Sequence, residues 1–318
     1  MTDTVITSTP DDSISVIIPV YNSEGSLDPL VQRLHEALRP LTDRYEFILV
    51  NDGSRDGSWK VVQRLARECP SVVRGFNMMR NYGQHNALLC GIRAARHDII
   101  VTIDDDLQNP PEEIGRLLQG LHQGFDVVYG TPTVETHGFW RDLASRVTKM
   151  ALQGAMGAET AKKVSAFRAF RTSLRNAFSD YRSPFLSIDV LLTWGASRFS
   201  AIPVRHDPRT IGQSNYTFRH LVTHAANMMT GFTILPLQLA SVTGFVFALF
   251  GIGILVYVVG RYLLHGTSVP GFPFLASVIA IFSGAQLFAL GVIGEYLARM
   301  HFRMMERPTY AVREETPQ

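Results

Sequence analysis

Residues 14–50 read ISVIIPVYNSEGSLDPLVQRLHEALRPLTDRYEFILV, and this stretch decides the fold. It begins with a short apolar run, Ile14–Val20, that is rich in β-branched residues and predicts a buried strand. Leucines then recur every three or four residues over Leu27–Leu38, which predicts an amphipathic helix, and the apolar run at 45–50 predicts a second strand. A strand, a helix and a strand in this order predict a parallel pair joined by a crossover helix.

The same alternation continues through the first 130 residues. Further strands are predicted at 72–78, 99–103 and 126–129, and further helices at 58–68, 86–95 and 111–123. Strands that alternate with helices form a mainly parallel sheet with helices on both faces, so the predicted class is α/β and Rossmann-like. Ligands of such sheets bind beyond the carboxyl ends of the strands.

The average composition hides a second part of the chain. The 318 residues are 18% charged with a net charge of +2, yet residues 232–294 contain Arg261 as their only Lys, Arg, Asp or Glu. A membrane-spanning helix needs about 20 apolar residues, so we predict a transmembrane hairpin with spans at 232–264 and 272–296 and a turn around Arg261. A purely soluble protein and a disulfide scaffold are excluded, and the small net charge argues against nucleic-acid binding.

The flanks of the hairpin predict its orientation. Arg219 precedes the first span and Arg299, Arg303 and Arg307 follow the second, so the positive-inside rule predicts cytoplasmic termini at the polar segment 1–13 and the tail 297–318. Apolar residues at helical spacing predict a juxtamembrane helix at 217–231. It either lies on the lipid surface or packs as a soluble helix against the preceding domain, and the sequence leaves both alternatives open.

Acidic residues follow two of the predicted strands. Asp52 comes directly after 45–50, and the segment after 99–103 contains Asp104 and Asp106, which alternate so that they share a face with Gln108. Two carboxylates and an amide suit Mg²⁺ or Mn²⁺ and leave coordination positions for phosphate oxygens, which predicts a cation site. The alternative interpretation is an acidic loop that binds no ligand. For Asp56 we favour capping of the helix at 58–68. No Gly-x-Gly-x-x-Gly motif or P-loop is present, so a bound nucleotide would need this cation.

Four segments, found in order along the chain, resemble glycosyltransferase family 2: VIIPVYNSE at 16–24, NDGSRDGS at 51–58, RNYGQHNA at 80–87 and DDDLQNPPE at 104–112. The sequence is most similar to the polyprenyl-phosphate glycosyltransferases of that family. The resemblance implies a GT-A domain at 14–216 and inverting transfer of a sugar from a nucleotide sugar to undecaprenyl phosphate, on the cytoplasmic face of the bacterial inner membrane. UDP-glucose is the expected donor, and GDP-mannose or a UDP-aminoarabinose derivative remains an alternative.

The resemblance also implies roles for single residues. Asp104, Asp106 and Gln108 are expected to hold the cation. The expected donor-binding residues are Pro19, Tyr21, Glu24, Asp52, Arg80, Asp104 and Asp105. The expected acceptor-phosphate residues are Arg168, Arg205, Arg209, Ser214 and Tyr216, and catalysis is expected to rest on Asp104, Asp106 and the three arginines.

This chain departs from the family pattern at several positions. Asn51 stands where the family has an aspartate, Gln213 and Asn215 stand where lysines are common, and Ser165-Ala166 replaces an acidic position. Loss of that acid is tolerable, because a phosphate monoester has a second pKa of about 6 and attacks as a dianion without a general base.

Two other functions were weighed. A processive polysaccharide synthase is disfavoured, because two spans are too few for a channel and no Gln-x-x-Arg-Trp segment occurs. The alternative outside the enzymes is a non-catalytic membrane scaffold that has kept a transferase-like fold. Small residues such as Gly244, Gly251 and Gly253 allow close packing between spans, so a homo-oligomer is also open.

Overall fold

The computed structural model describes residues 12–132, 163–183, 186–207, 235–265, 272–305 and 307–317. Eight strands form one sheet in the order β7-β5-β6-β4-β1-β2-β3-β8. The strands are β1 Ile14–Val20, β2 Tyr45–Asn51, β3 Val73–Met78, β4 Ile99–Thr102, β5 Val127–Pro132, β6 Arg168–Arg171, β7 Phe199–Val204 and β8 Val312–Glu315. The α-helices are α1 Leu27–Leu38, α2 Ser58–Glu68, α3 Gln84–Ala94, α4 Ile114–His122, α5 Ile188–Leu192, α6 Leu235–His265 and α7 Phe272–Met304.

The centre of the sheet is parallel, as predicted. β4, β1, β2 and β3 run in the same direction, while β6 lies antiparallel between β4 and β5. Every residue of β1 is buried, because helices cover both faces: α1, α2 and α4 pack on one, α3 and α5 on the other. All five strands and four helices predicted before residue 130 are present, and the last helix begins as a 3₁₀ turn at Pro111–Glu113.

The segment 297–318, predicted to be a cytoplasmic tail, contains the end of a helix and a strand of the sheet. α7 continues to Met304, and β8 then pairs antiparallel with β3 at the edge of the sheet. The Thr316 hydroxyl accepts a hydrogen bond from the Gly75 N–H at 2.9 Å, and Glu315 forms an ion pair with Arg74 at 3.1 Å. The chain that leaves the apolar helices is therefore anchored to the same sheet that precedes them.

The two C-terminal helices are long and apolar enough to cross a membrane. Their candidate spans, Pro236–Leu264 and Ile281–Met304, have mean hydropathies of 2.5 and 1.4 and are largely exposed in the isolated chain. Arg261, predicted to lie in the turn, instead lies inside α6 and donates a hydrogen bond to the Tyr257 hydroxyl at 2.9 Å. The predicted helix at 217–231 lies outside the described residues.

We predict that Gly75→Ala loosens the contact of β8 with the sheet. A Cβ atom at Gly75 would overlap Val62 Cγ1 and lie 2.9 Å from Thr316 Cγ2, which leaves no room for a methyl group. The free energy of unfolding should fall by about 1–3 kcal/mol. Denaturant-induced unfolding checks the stability, and the rate of trypsin cleavage after Arg313 should rise as the strand detaches.

The double variant Val62→Ala/Gly75→Ala is the matched control. It removes the side-chain atom that the new methyl group meets, so its loss of stability should be smaller than the sum of the two single losses. Unchanged stability and unchanged cleavage in Gly75→Ala would mean that β8 is not packed against Gly75.

Candidate active site

A cavity of about 390 Å³ opens at the carboxyl ends of β1, β2 and β4. These neighbouring parallel strands end at the same edge of the sheet, so the loops that follow them share one wall. Seven of the predicted site residues line the cavity: Pro19, Tyr21, Asp52, Asp104, Asp105, Asp106 and Gln108. The structure therefore brings together side chains that lie up to 89 positions apart in the sequence.

Negative charge is concentrated on the wall that follows β4. Burial and, to a smaller extent, the charges of Asp106 and Asp105 raise the pKa of Asp104 to about 7, against the lowering effects of Arg168 and of a hydrogen bond from Gln84. Gln84 Nε2 donates that bond to Asp104 Oδ1 at 2.7 Å. Three carboxylates so placed favour the binding of a cation, because a positive charge stabilises all of them in the ionised form.

The donor atoms fit an open site for a hard divalent cation. Asp104, Asp106 and Gln108 line the same cavity, and the Gln108 N–H donates to Asp106 Oδ1 at 3.1 Å, which fixes the turn at Leu107. In the described ranges no group of three His, Cys, Asp or Glu side chains is arranged to hold a metal by itself. A cation bound here would complete its shell with ligand oxygens, as Mg²⁺ does with phosphates.

Asp105 connects two of the loops. Its Oδ2 accepts a hydrogen bond from the Tyr21 N–H at 3.1 Å and a second one from the Ser23 hydroxyl. Burial is the largest influence on its pKa, which is raised, although both hydrogen bonds lower it. Asp105 therefore holds the loop after β1 against the loop after β4.

Asp52 fixes a third loop, between β3 and α3. Its two oxygens accept hydrogen bonds from the N–H groups of Tyr82 and Gly83 at 2.7 and 2.8 Å, and burial raises its pKa despite both bonds. The preceding residue, Asn51, is buried, and its Nδ2 donates to Asn77 Oδ1 at 2.8 Å. A neutral amide pair thus occupies the place where the family pattern has a charge.

Two predicted donor-binding residues do not line this cavity. Glu24 accepts a hydrogen bond from the Gly57 N–H at 2.9 Å and so supports the loop after β2. The Arg80 guanidinium lies 4.9 Å from the centre of the Tyr82 ring and faces a different cavity. Neighbouring Asp56 accepts a hydrogen bond from the Ser58 N–H at 3.0 Å, but the N-cap residue of α2 is Gly57, so the predicted cap at Asp56 lies one residue too early.

The prediction that Arg168 contacts the acceptor phosphate does not fit its position. Arg168 lies on β6 with 2% of its surface exposed and forms a buried ion pair with Asp189 of α5, whose Oδ1 also accepts a hydrogen bond from the Tyr129 hydroxyl at 3.1 Å. Within the described part of the chain, the guanidinium is thus paired with a carboxylate and closed to a phosphate from solvent. Instead, the positive charge of Arg168 lowers the pKa of Asp104.

Arg205 lies on the surface beside the acidic loop. It forms ion pairs with Asp207 at 3.1 Å and with Glu112 at 3.5 Å, and Glu112 is also held by Arg33 at 2.8 Å. The Asp207 N–H donates to the Gln108 carbonyl at 2.8 Å, so the chain after β7 is tied to the candidate metal loop. The other predicted acceptor residues, Arg209, Ser214 and Tyr216, lie outside the described residues.

Sequence reasoning missed three residues that support the site: Gln84, Tyr129 and Asp189. Gln84 lies inside the quoted segment 80–87, where no role was assigned to it. Asp189 carries a detectable signal, because it is the only acid in the apolar run 186–192, LSIDVLL, and a charge in a buried run requires a partner.

Comparison with known proteins agrees with this geometry. The family model described as "Glycosyl transferase family 2" matches residues 15–181. An undecaprenyl-phosphate 4-deoxy-4-formamido-L-arabinose transferase of Serratia proteamaculans is 37% identical over 96% of this chain and 94% of its own length. One of the same name from Pseudomonas paraeruginosa is 36% identical over 95% and 90%. The crystal structure of a mycobacterial protein has a TM-score of 0.50 at 18% identity, over 69% of this chain and 73% of its own, and so shares the fold.

We predict that Arg168→Met is chiefly destabilising. Removing the guanidinium leaves the Asp189 carboxylate buried without a counter-ion, which should cost about 3–5 kcal/mol of unfolding free energy. Arg205→Ala is the matched arginine variant, and because its ion pairs are exposed it should change stability by less than about 1 kcal/mol. Denaturant titration of the purified proteins provides both values.

The double variant Arg168→Met/Asp189→Leu removes both charges and should recover much of the lost stability. If Arg168→Met were as stable as the wild type and only the requirement for acceptor rose, the acceptor role of Arg168 would be restored.

Proposed function

The chain belongs to glycosyltransferase family 2, and from that premise we propose that it transfers 4-deoxy-4-formamido-L-arabinose from a UDP-linked donor to undecaprenyl phosphate. The observation that carries the proposal is the extent of the likeness to two transferases of that name, which spans 95% or more of this chain. The names of these relatives contain formamido-arabinose and not glucose, so the aminoarabinose alternative replaces UDP-glucose as the proposed donor. The fold is GT-A, and the chain is a glycosyltransferase.

The cavity at the strand ends is the proposed donor site. Pro19 and Tyr21 form its wall after β1, and Asp105 keeps Tyr21 in place through the Tyr21 N–H. A divalent cation held by Asp104, Asp106 and Gln108 supplies Lewis-acid stabilisation of the diphosphate that leaves. Gln84 holds Asp104 in a single orientation, so this ligand is positioned before the donor arrives.

The proposed acceptor needs no protein base. Its phosphate monoester has a second pKa of about 6, so it is mostly a dianion at neutral pH. An oxygen of that phosphate attacks the anomeric carbon while the bond to the nucleoside diphosphate breaks, which inverts the configuration. Arg205 is the described arginine nearest in the sequence to the proposed acceptor segment. In the proposed mechanism its guanidinium gives up its ion pairs with Glu112 and Asp207 and binds the acceptor phosphate instead.

The apolar helices account for how the enzyme meets its acceptor. A polyprenyl chain remains in the bilayer, so its phosphate stays at the surface and the catalytic domain must be held there. We assign α6 and α7 as spans of the bacterial inner membrane, with the catalytic domain and both termini in the cytoplasm. Arg299, Arg303 and Arg307 near the end of α7 support this orientation.

The donor assignment is tested with the purified full-length chain in liposomes that contain undecaprenyl phosphate. UDP-linked 4-formamido-arabinose, UDP-glucose and GDP-mannose are supplied separately, and the lipid product is identified by mass spectrometry. We expect product with the formamido-arabinose donor. Product with glucose alone would keep the reaction class but refute the donor, and no product with any donor would favour the scaffold alternative.

The cation assignment is tested by metal removal and by substitution. EDTA should abolish transfer, and Mg²⁺ or Mn²⁺ should restore it. Loss of a residue that merely orients a metal ligand costs 10–100-fold, so Asp106→Asn, which removes a ligand, should lower turnover by more than about 100-fold. Asp43→Asn is the matched control, because this exposed aspartate precedes β2 and so lies at the opposite edge of the sheet from the cavity. Full activity in EDTA would remove the cation from the mechanism.

A further inference from the structure

A second cavity, of about 410 Å³, lies where the segment after α7 meets the catalytic domain. Its walls include Arg80, Tyr82 and Asn86 from the catalytic domain and Phe302 and Arg307 from the C-terminal part of the chain. Asn81 lines both this cavity and the donor cavity. The loop that Asp52 holds is therefore the partition between the two spaces. We call the second space the Arg80–Arg307 cavity.

The two arginines of this cavity have no counter-ion among the described residues. Arg80 lies over the Tyr82 ring, and within the described part of the chain no carboxylate forms an ion pair with Arg80 or with Arg307. Other arginines of the catalytic domain, such as Arg33, Arg64 and Arg74, each form ion pairs with two acids. Two unpaired guanidinium groups on one cavity fit a phosphate, which arginine binds through several parallel hydrogen bonds.

Asn86 supplies an independent observation. It is more than nine-tenths buried, and its Nδ2 donates to the Tyr82 carbonyl at 2.7 Å, which fixes the orientation of the amide. Its Oδ1 is buried and accepts no hydrogen bond. A buried acceptor without a partner costs free energy. Oδ1 itself is closed to solvent, so what Asn86 contributes to the cavity wall is an amide fixed against Tyr82, and the arginines are the groups that select a phosphate.

The position of the cavity indicates where such a phosphate comes from. Phe302 lies in the last turn of α7, a candidate membrane span, and Arg307 follows three residues after the helix ends. An aromatic side chain and an arginine at the end of a span lie at the level of the lipid headgroups. We propose that the Arg80–Arg307 cavity binds the headgroup of an anionic phospholipid through its phosphate. This inference rests on the proposed membrane placement of α7 and is separate from the acceptor site.

Occupancy of this cavity should affect the donor site. Arg80 and Tyr82 contact the headgroup from one side of the partition, while the Tyr82 N–H is bonded to Asp52 on the other. A bound headgroup would hold the loop that forms the partition in the position in which it lines the donor cavity. We therefore expect the lipid to lower KM for the donor with little change in kcat.

The test measures lipid retained by the purified full-length chain. Protein is reconstituted in nanodiscs of phosphatidylcholine with phosphatidylglycerol, extracted in mild detergent, and analysed by native mass spectrometry. The wild type should retain phosphatidylglycerol in preference to phosphatidylcholine. Arg80→Gln and Arg307→Gln should each lower retention by about tenfold, the loss expected for one charge-assisted contact.

Arg303→Gln is the matched control. Arg303 lies in the same turn of α7 as Phe302 but lines another cavity, beside Tyr181 and Trp194. Its substitution therefore removes one positive charge at the same depth along α7 without changing the Arg80–Arg307 cavity. This variant should retain phosphatidylglycerol. An equal loss in all three variants would mean general surface attraction and would overturn the proposal, as would full retention in Arg80→Gln.

Two further measurements separate the possible sources of phosphate. Inorganic phosphate that displaces the lipid at equal concentration would assign the cavity to a soluble anion. Undecaprenyl phosphate that displaces it would assign the cavity to the acceptor, and either result overturns the headgroup proposal. Because retention is measured without turnover, a chain that fails to transfer formamido-arabinose but retains phosphatidylglycerol refutes only the proposed function.

Discussion

Burial of Asp104 and Asp105 beside the charge of Asp106 is the constraint on which the rest of the site depends. Burial beside like charges raises the pKa of Asp104 to about 7. Ionising this carboxyl group at neutral pH therefore costs the folded chain free energy. The surrounding side chains each reduce that cost: Gln84 donates to Asp104, the backbone of Tyr21 donates to Asp105, and Arg168 lies close enough to lower the pKa of Asp104. What remains is a demand for positive charge that a divalent cation meets.

Arg168 illustrates how that compensation is built into the fold. A lone buried arginine is too costly, so its charge is balanced by Asp189, and Asp189 in turn accepts a hydrogen bond from Tyr129. Arg168 thus lowers the pKa of Asp104 while its own charge is balanced by Asp189, so the cavity wall stays rich in carboxylates for the proposed cation. An unpaired arginine at the same place would act as a built-in counter-ion and would compete with the cation.

The sequence predicted the elements whose signal is local. β1 to β5 and the first four helices follow from apolar runs and helical periodicity, and the carboxyl ends of the strands located Asp52, Asp104 and Asp106 correctly on one cavity. β8 was missed because Val312–Glu315 is a charged, exposed strand whose only signal is its pairing with β3. The burial of Arg168 was missed for a similar reason, since its partner comes from α5 and only the tertiary fold brings the two together. The donor sugar was not readable, because the quoted motifs describe how the diphosphate is held and not the sugar.

The loop at 80–83 lies between the cavity at the strand ends and the Arg80–Arg307 cavity, and the room around it limits where it can move. A Cβ atom at Gly53, where φ is 66°, would lie 2.5 Å from the Asn81 N atom, so the loop already packs against the end of β2 as closely as a glycine permits. Asp52 holds the next two residues by their N–H groups. The loop therefore has no space toward β2 at Asn81. A headgroup bound as proposed in the Arg80–Arg307 cavity would contact this loop beside the residues that Asp52 holds, and that contact would connect the end of α7 with the proposed donor site.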